Sequence, residues 1–155
     1  MPCTDGTLQL MCETIQEAQE GIVREFARFD DWEERYGAII AAGRALPDIP
    51  DEYKLEKFRV KGCQSTVWLH ASMEGGKVVF QATSDAMIVR GLISFLLRVY
   101  SGRTPEEIVG TPPDFIGRLG LNAHLTLGRQ NGLAAMIEQI KLYAFAFKSI
   151  AQVRP

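Results

Sequence analysis

Apolar residues recur at helical spacing toward both ends of the chain and alternate at strand spacing in its middle. Ile15, Ile22, Phe26 and Phe29 predict a helix over residues 10–29, with Gly21 weakening its centre. Asp30-Asp31 breaks that run, and Asp31 followed by Glu34 has the form of a capping box in which Asp replaces Ser or Thr. The next helix carries Tyr36, Ile39, Ile40 and Leu46 on one side, and Pro47 and Pro50 end it in a loop that runs to Leu55. Phe58 and Val60 then alternate with Arg59 and Lys61. Beyond a small polar turn, Val67, Leu69 and Ala71 alternate with Trp68, His70 and Ser72. Glu74-Gly75-Gly76-Lys77 is a hairpin signal, because paired glycines supply the positive φ of a tight turn, and Val78–Phe80 return as a further strand. Three strands joined by short links imply an antiparallel meander.

Ser84-Asp85 predicts the opening of a helix, with Ser84 as N-cap and Asp85 in the first turn. From Ala86 to Tyr100 this helix is apolar on nearly every side. Arg90, Ser94 and Arg98, spaced four apart, leave a narrow stripe to solvent, so it should form the central core element. Thr104-Pro105-Glu106-Glu107 starts a short helix that Gly110 stops, and Thr111-Pro112-Pro113-Asp114 starts another that Gly120 ends. Residues 121–128 read as irregular, and Leu133, Met136, Ile137, Ile140, Ala144 and Phe147 give a last helix over residues 129–151. The expected architecture is α+β: a small three-stranded antiparallel sheet with helices packed on one face, in a single domain of residues 1–155. Residues 1–9 show no period and read as a tail.

Composition narrows the function more than the fold. A net charge of -2 argues against general nucleic-acid binding, which needs a basic face. No apolar run reaches the ~18 residues of a membrane-spanning helix. Asp5, Glu13, Glu17 and Glu20 precede the first basic residue, Arg24, so the N-terminus does not read as a targeting segment and a reducing cytoplasm is the expectation. Cys3, Cys12 and Cys63 are too few and too scattered for a disulfide framework or a zinc site, and no metal or organic cofactor is expected.

The candidate chemistry centres on Gly62-Cys63-Gln64-Ser65. An isolated cysteine reads first as a small buried hydrophobe, since reactivity needs a special microenvironment. Gly62 marks a loop, however, and Gln64, Ser65 and Thr66 offer donors for a thiolate, the nucleophilic form. Asp85 can be read as helix-start chemistry alone. Arg129, a cation in the first turn of a helix, opposes the helix dipole and suits an anion, either a carboxylate such as Asp85 or a partner protein. Gln130-Asn131-Gly132 is an odd helix opening, rich in poor formers, and fits a recognition corner. His124 reads as a loop histidine satisfied by backbone, with a general-base role toward Cys63 as the other option. His70 should face solvent beside Trp68.

Several blocks together carry a resemblance. Val60-Lys61-Gly62-Cys63-Gln64-Ser65-Thr66-Val67-Trp68-Leu69, Ser84-Asp85 through Leu92, Tyr100-Ser101-Gly102-Arg103-Thr104-Pro105-Glu106-Glu107-Ile108 and His124-Leu125-Thr126 through Leu133 follow in one order. Trp32-Glu33-Glu34-Arg35-Tyr36 and Leu46-Pro47 also fit. Over about residues 26–141 the chain resembles the SufE family of sulfur acceptors, which includes CsdE and serves iron–sulfur cluster assembly. The resemblance implies a fold similar to the IscU scaffold. It also implies that Cys63 accepts sulfur as a persulfide from a pyridoxal-phosphate cysteine desulfurase of the SufS or CsdA kind, stimulates that enzyme, and passes sulfur to a cluster scaffold. Gly62, Gln64, Ser65, Asp85, His124 and Arg129 would support the site or the partner contact. A weak homodimer is a further partner to consider. The alternative is a module that regulates a desulfurase without carrying sulfur. Three departures from the family pattern bear on partner choice: Thr83 before Ser84-Asp85, Arg90 where Lys is frequent, and Leu127-Gly128 in place of a common Pro-Ser.

Overall fold

A computed structural model describes residues 14–153 of the chain. Cys3, Cys12, the tail and residues 10–13 of the first expected helix lie outside the described residues. Helix α1 (Ile15–Ala27) starts on a capping box: the Glu17 amide donates to Thr14 Oγ1 at 3.0 Å, and the Thr14 amide donates to Glu17 Oε1 at 3.2 Å. It buries Ile15, Ala18, Ile22 and Phe26. Gln19 is also wholly buried, and is satisfied by accepting from the Phe115 amide at 3.0 Å and donating to the Pro112 carbonyl at 3.3 Å.

Helix α2 (Trp32–Ala45) is capped by Asp31, which accepts from the Glu34 amide at 2.9 Å. Glu34 reaches back to the Asp30 amide rather than to Asp31, so the capping box is displaced by one residue. Leu46 is buried just beyond the helix end.

The sheet has two strands among the described residues, not three. Strand β1 (Val67–Glu74) pairs antiparallel with β2 (Lys77–Ser84), in a register running from Glu74 opposite Lys77 to Val67 opposite Ser84. Gly75 (φ 58°) and Gly76 (φ 81°) make the hairpin turn as the sequence suggested. The stretch expected as a first strand supplies only a bridge between Arg59 and Trp68 and one bond from the Val60 amide to the Val67 carbonyl, 2.8 Å. On one side of it the chain is coiled into 3-10 turns at Asp51–Tyr53 and Glu56–Phe58. On the other it turns away at Gly62, so no run of extended residues is left to pair. Phe58 and Tyr53 are drawn onto His70, which stacks on Tyr53 with ring centroids 3.7 Å apart. His70 is therefore clamped between aromatic rings rather than facing solvent, and burial holds its pKa below the ordinary histidine value.

Helix α3 (Met87–Tyr100) is the core element, burying Val89, Leu92, Ile93, Phe95, Leu96, Val99 and Tyr100. Its polar stripe does not simply meet solvent. Arg90 donates to the carbonyls of Gly43 and Leu46, closing the C-terminus of α2, and Arg98 pairs with Glu25 of α1. Gly91 allows the crossing with α2, because a Cβ there would lie 2.6 Å from Ile39 Cγ2. The helix begins later than expected: Ala86 is its N-cap, and Ser84 and Asp85 precede it.

Short helices α4 (Pro105–Gly110) and α5 (Asp114–Leu119) follow as predicted. Residues expected to be irregular form a further short helix, α6 (Leu121–His124), and the last helix, α7, runs from Leu127 to Val153. α3 and α7 cover one face of the sheet, where Ile93, Leu96, Met136 and Ile140 meet Val67, Leu69 and Ala82. Residues 101–103 cross the outer edge of β2, with Arg103 bridged to Val78 and Ser101 Oγ accepting from the Phe80 amide at 2.9 Å.

Candidate functional site

The residues between the Val60–Val67 bond and β1 form a turn fastened at both ends. One end is that backbone bond. The other is a reciprocal tie: the Thr66 amide donates to Asp85 Oδ1 at 3.1 Å, and the Asp85 amide donates to the Thr66 carbonyl at 3.3 Å. Thr66 and Asp85 thus extend the β1–β2 ladder by one step, with a carboxylate standing in for a backbone acceptor. This explains why Asp85 is not a residue of α3. Its side chain holds the turn.

The turn itself lies against α7. Gly62, at φ 93°, bends the chain so that its α-carbon faces Ala135; a Cβ on Gly62 would lie 3.4 Å from that of Ala135. Cys63 faces Gly132, where a Cβ would lie 3.5 Å from the sulfur. Gln64 faces Gly128, and a Cβ there would fall within 2.6 Å of Gln64 Nε2 and overlap the rest of the carboxamide. Successive residues of the turn therefore meet successive small residues of the helix.

Cys63 is free and half-buried. Its Sγ–H donates to the Gly132 carbonyl at 3.6 Å. The donors expected from Gln64, Ser65 and Thr66 do not reach the sulfur; the Thr66 amide is committed to Asp85. Burial raises the Cys63 pKa, so the group rests as a thiol. It opens onto a cleft of about 350 Å³. Val89, Leu92, Leu133 and Met136 make the apolar wall, and Gln64, Ser65, Thr126 and Arg129 the polar rim. Arg129 is exposed in the first turn of α7, its amide donating to Thr126 Oγ1 at 3.3 Å. It forms no ion pair among the described residues. In particular it does not meet Asp85.

His124 is not part of this cleft. Its ring stacks on Trp32, centroids 3.9 Å apart, and its carbonyl accepts from the Tyr36 hydroxyl, which fastens α6 to α2. No group of three His, Cys, Asp or Glu side chains suited to a metal ion occurs among the described residues. Spacing alone does not reveal Val89, Leu92 and Met136 as cleft walls, since they read as ordinary helix core. The one local signal was Gln130-Asn131-Gly132. Within it, Gly132 is the residue that meets Cys63.

The protein-family comparison matches residues 20–144 to the SufE family, described as an Fe-S metabolism associated domain. The chain belongs to the SufE family. Among curated SufE-family relatives, an uncharacterised SufE-like protein of Rhizobium meliloti is 41% identical over 125 residues, covering 77% of this chain and 89% of its own. A second from Synechocystis is 39% identical over 127 residues, covering 82% and 80%. The solution structure of a hypothetical protein from Thermus thermophilus superposes with a TM-score of 0.69 at 26% identity, over 83% of this chain and 94% of that one. SufE membership associates the chain with iron–sulfur metabolism, and the chain shares its fold with that structural neighbour. No described helix is long and apolar enough to cross a membrane.

Proposed function

We propose that this chain is a cytoplasmic sulfur carrier that accepts persulfide sulfur on Cys63 from a cysteine desulfurase. The observation that carries the reading is a free, half-buried thiol at the mouth of a mixed apolar and polar cleft, on a turn tied at both ends. The deprotonated Cys63 sulfur attacks the terminal sulfur of the desulfurase persulfide. A new S–S bond forms on Cys63, the S–S bond on the enzyme breaks, and the enzyme's cysteine leaves as a thiolate. No electrons are gained or lost overall. Because burial disfavours the Cys63 thiolate, activation follows from lifting the turn off α7 into contact with the partner. Return to the cleft then shelters the terminal sulfur beside Val89, Leu92 and Met136 until a cluster scaffold receives it. Arg129, exposed on the rim and without an ion pair among the described residues, is the cation offered to the desulfurase, and removal of its persulfide stimulates that enzyme's turnover.

Mass spectrometry after incubation with a desulfurase and free cysteine tests the assignment. The wild-type chain should gain one sulfur on Cys63, and Cys63→Ser should gain none while remaining folded. A sulfur adduct persisting in the serine variant, or desulfurase stimulation undiminished by it, overturns the carrier role. Arg129→Ala should weaken stimulation at limiting concentration with little change in melting temperature.

A further inference from the structure

We propose that Gln64 is a latch on the Cys63 turn and that Gly128 is the seat it closes on. Its meaning, control of when Cys63 leaves the cleft, rests on the sulfur-transfer reading; the geometry does not.

Three contacts dock the turn on α7. Two are ordinary in spacing: a side chain on Gly62 or Gly132 would lie 3.4 Å from Ala135 Cβ or 3.5 Å from Cys63 Sγ. The third is different in kind. The Gln64 carboxamide fills the volume that any side chain at position 128 would claim. Gly128 is not required there by its backbone, because it is not among the positive-φ glycines (62, 75, 76, 102 and 120). A Cβ is conformationally allowed at 128, and what opposes it is the far end of one flexible side chain.

The fastenings of the turn explain why this contact would govern opening. The Val60–Val67 bond and the Thr66–Asp85 tie hold only its ends. Between them, the attachments to α7 are the Gly62–Ala135 contact, a thiol hydrogen bond of 3.6 Å with a weak donor, and the Gln64 side chain, which is exposed on its outer side and lies over Gly128. Lifting the turn therefore breaks no backbone ladder bond. Gln64 follows Cys63 directly in sequence, and Gly128 lies one helical turn before Gly132, so unseating Gln64 loosens the residue beside the sulfur.

The experiment is the alkylation rate of Cys63 by iodoacetamide in full-length chains carrying Cys3→Ser and Cys12→Ser. Gly128→Ala should raise the rate severalfold, with far-UV dichroism and melting temperature showing an intact fold. Gln64→Ala should raise it by a similar factor, and adding Gly128→Ala to Gln64→Ala should change nothing more. The pH profile should keep its midpoint, because the latch governs access and not the ionisation of the docked thiol. A Gly128→Ala rate equal to that of the parent chain, an equal further increase in the Gln64→Ala background, or a shifted midpoint with an unchanged plateau overturns the latch. Since no sulfur transfer is measured, a chain that never takes up sulfur would defeat the carrier reading and leave this result standing.

Discussion

The Cys63 sulfur lies against the α-carbon of Gly132, hydrogen-bonded at 3.6 Å to the same residue's carbonyl. The helix interior thus supplies both the wall and the acceptor for the thiol, and a Cβ at position 132 would already touch the sulfur at 3.5 Å. Alanine fits there at ordinary contact distance, and replacing a helix-interior glycine raises propensity by up to about 1 kcal/mol. Gly132→Ala should leave the melting temperature unchanged or slightly raised. Gly132→Leu has no room, and should expel the turn and make Cys63 severalfold more reactive to alkylation. Unchanged reactivity in the leucine variant would mean that α7 does not shelter the sulfur.

Asp85 controls the other end of the turn. Asp85→Ala deletes the acceptor for the Thr66 amide, and since Asp85 is exposed, water can take its place. The stability cost should be modest, about 1 kcal/mol. Amide hydrogen exchange at Thr66 should accelerate markedly in this variant while that of Leu69, deeper in β1, stays near wild type. Equal acceleration at both positions would point to loss of the whole hairpin rather than of one tie.

Core packing predicts a larger effect far from the cleft. A Cβ on Gly91 would overlap the Ile39 backbone across the α2–α3 contact, lying 2.8 Å from its carbonyl carbon. Backbone cannot swing aside as the Gln64 side chain can. Gly91→Ala should therefore cost about 1–3 kcal/mol, the range for overpacked cores, despite its better helix propensity. A shift in the denaturant midpoint at unchanged slope would measure it, and a midpoint equal to wild type would contradict the close crossing.

Protonation provides a fourth check. Burial raises the Cys63 pKa, so the alkylation midpoint should lie above the ~8.5 of an unperturbed thiol and return toward it in urea. The same shift links pH to stability. A raised folded-state pKa favours the protonated form, so its contribution is present below the unfolded value and lost as pH rises through the folded one. Cys63→Ser should flatten that alkaline decline. A midpoint below the ordinary thiol value would show a stabilised thiolate instead.

What was legible in the sequence was local. Gly75-Gly76 makes its turn, Thr104 and Glu107 make their capping box, and Ala86–Tyr100 forms the core helix almost to the residue. What was not legible depended on distant partners. Phe58 and Val60 alternate like a strand, but Phe58 is claimed by the Tyr53–His70 stack and the Val60 amide bonds to Val67. Ser84-Asp85 has the composition of a helix cap, yet Asp85 is spent on Thr66, on the other side of the hairpin. Cys63 could be singled out from its neighbours. The α7 surface beneath it could not, because glycines 128 and 132 look like defects until the turn is laid on them.

The crossings at the margins of the hairpin bear on recognition. The Val67 carbonyl on one margin is taken by Val60, and the Val78 and Phe80 amides on the other by Arg103 and Ser101. An incoming peptide could not prolong the ribbon at these positions without evicting chain already bonded there. At these positions a partner would be met by side chains rather than by main chain. On the proposed carrier role, selection of a donor would then depend on shape and charge around a small mouth, not on the indiscriminate grip of main chain on main chain.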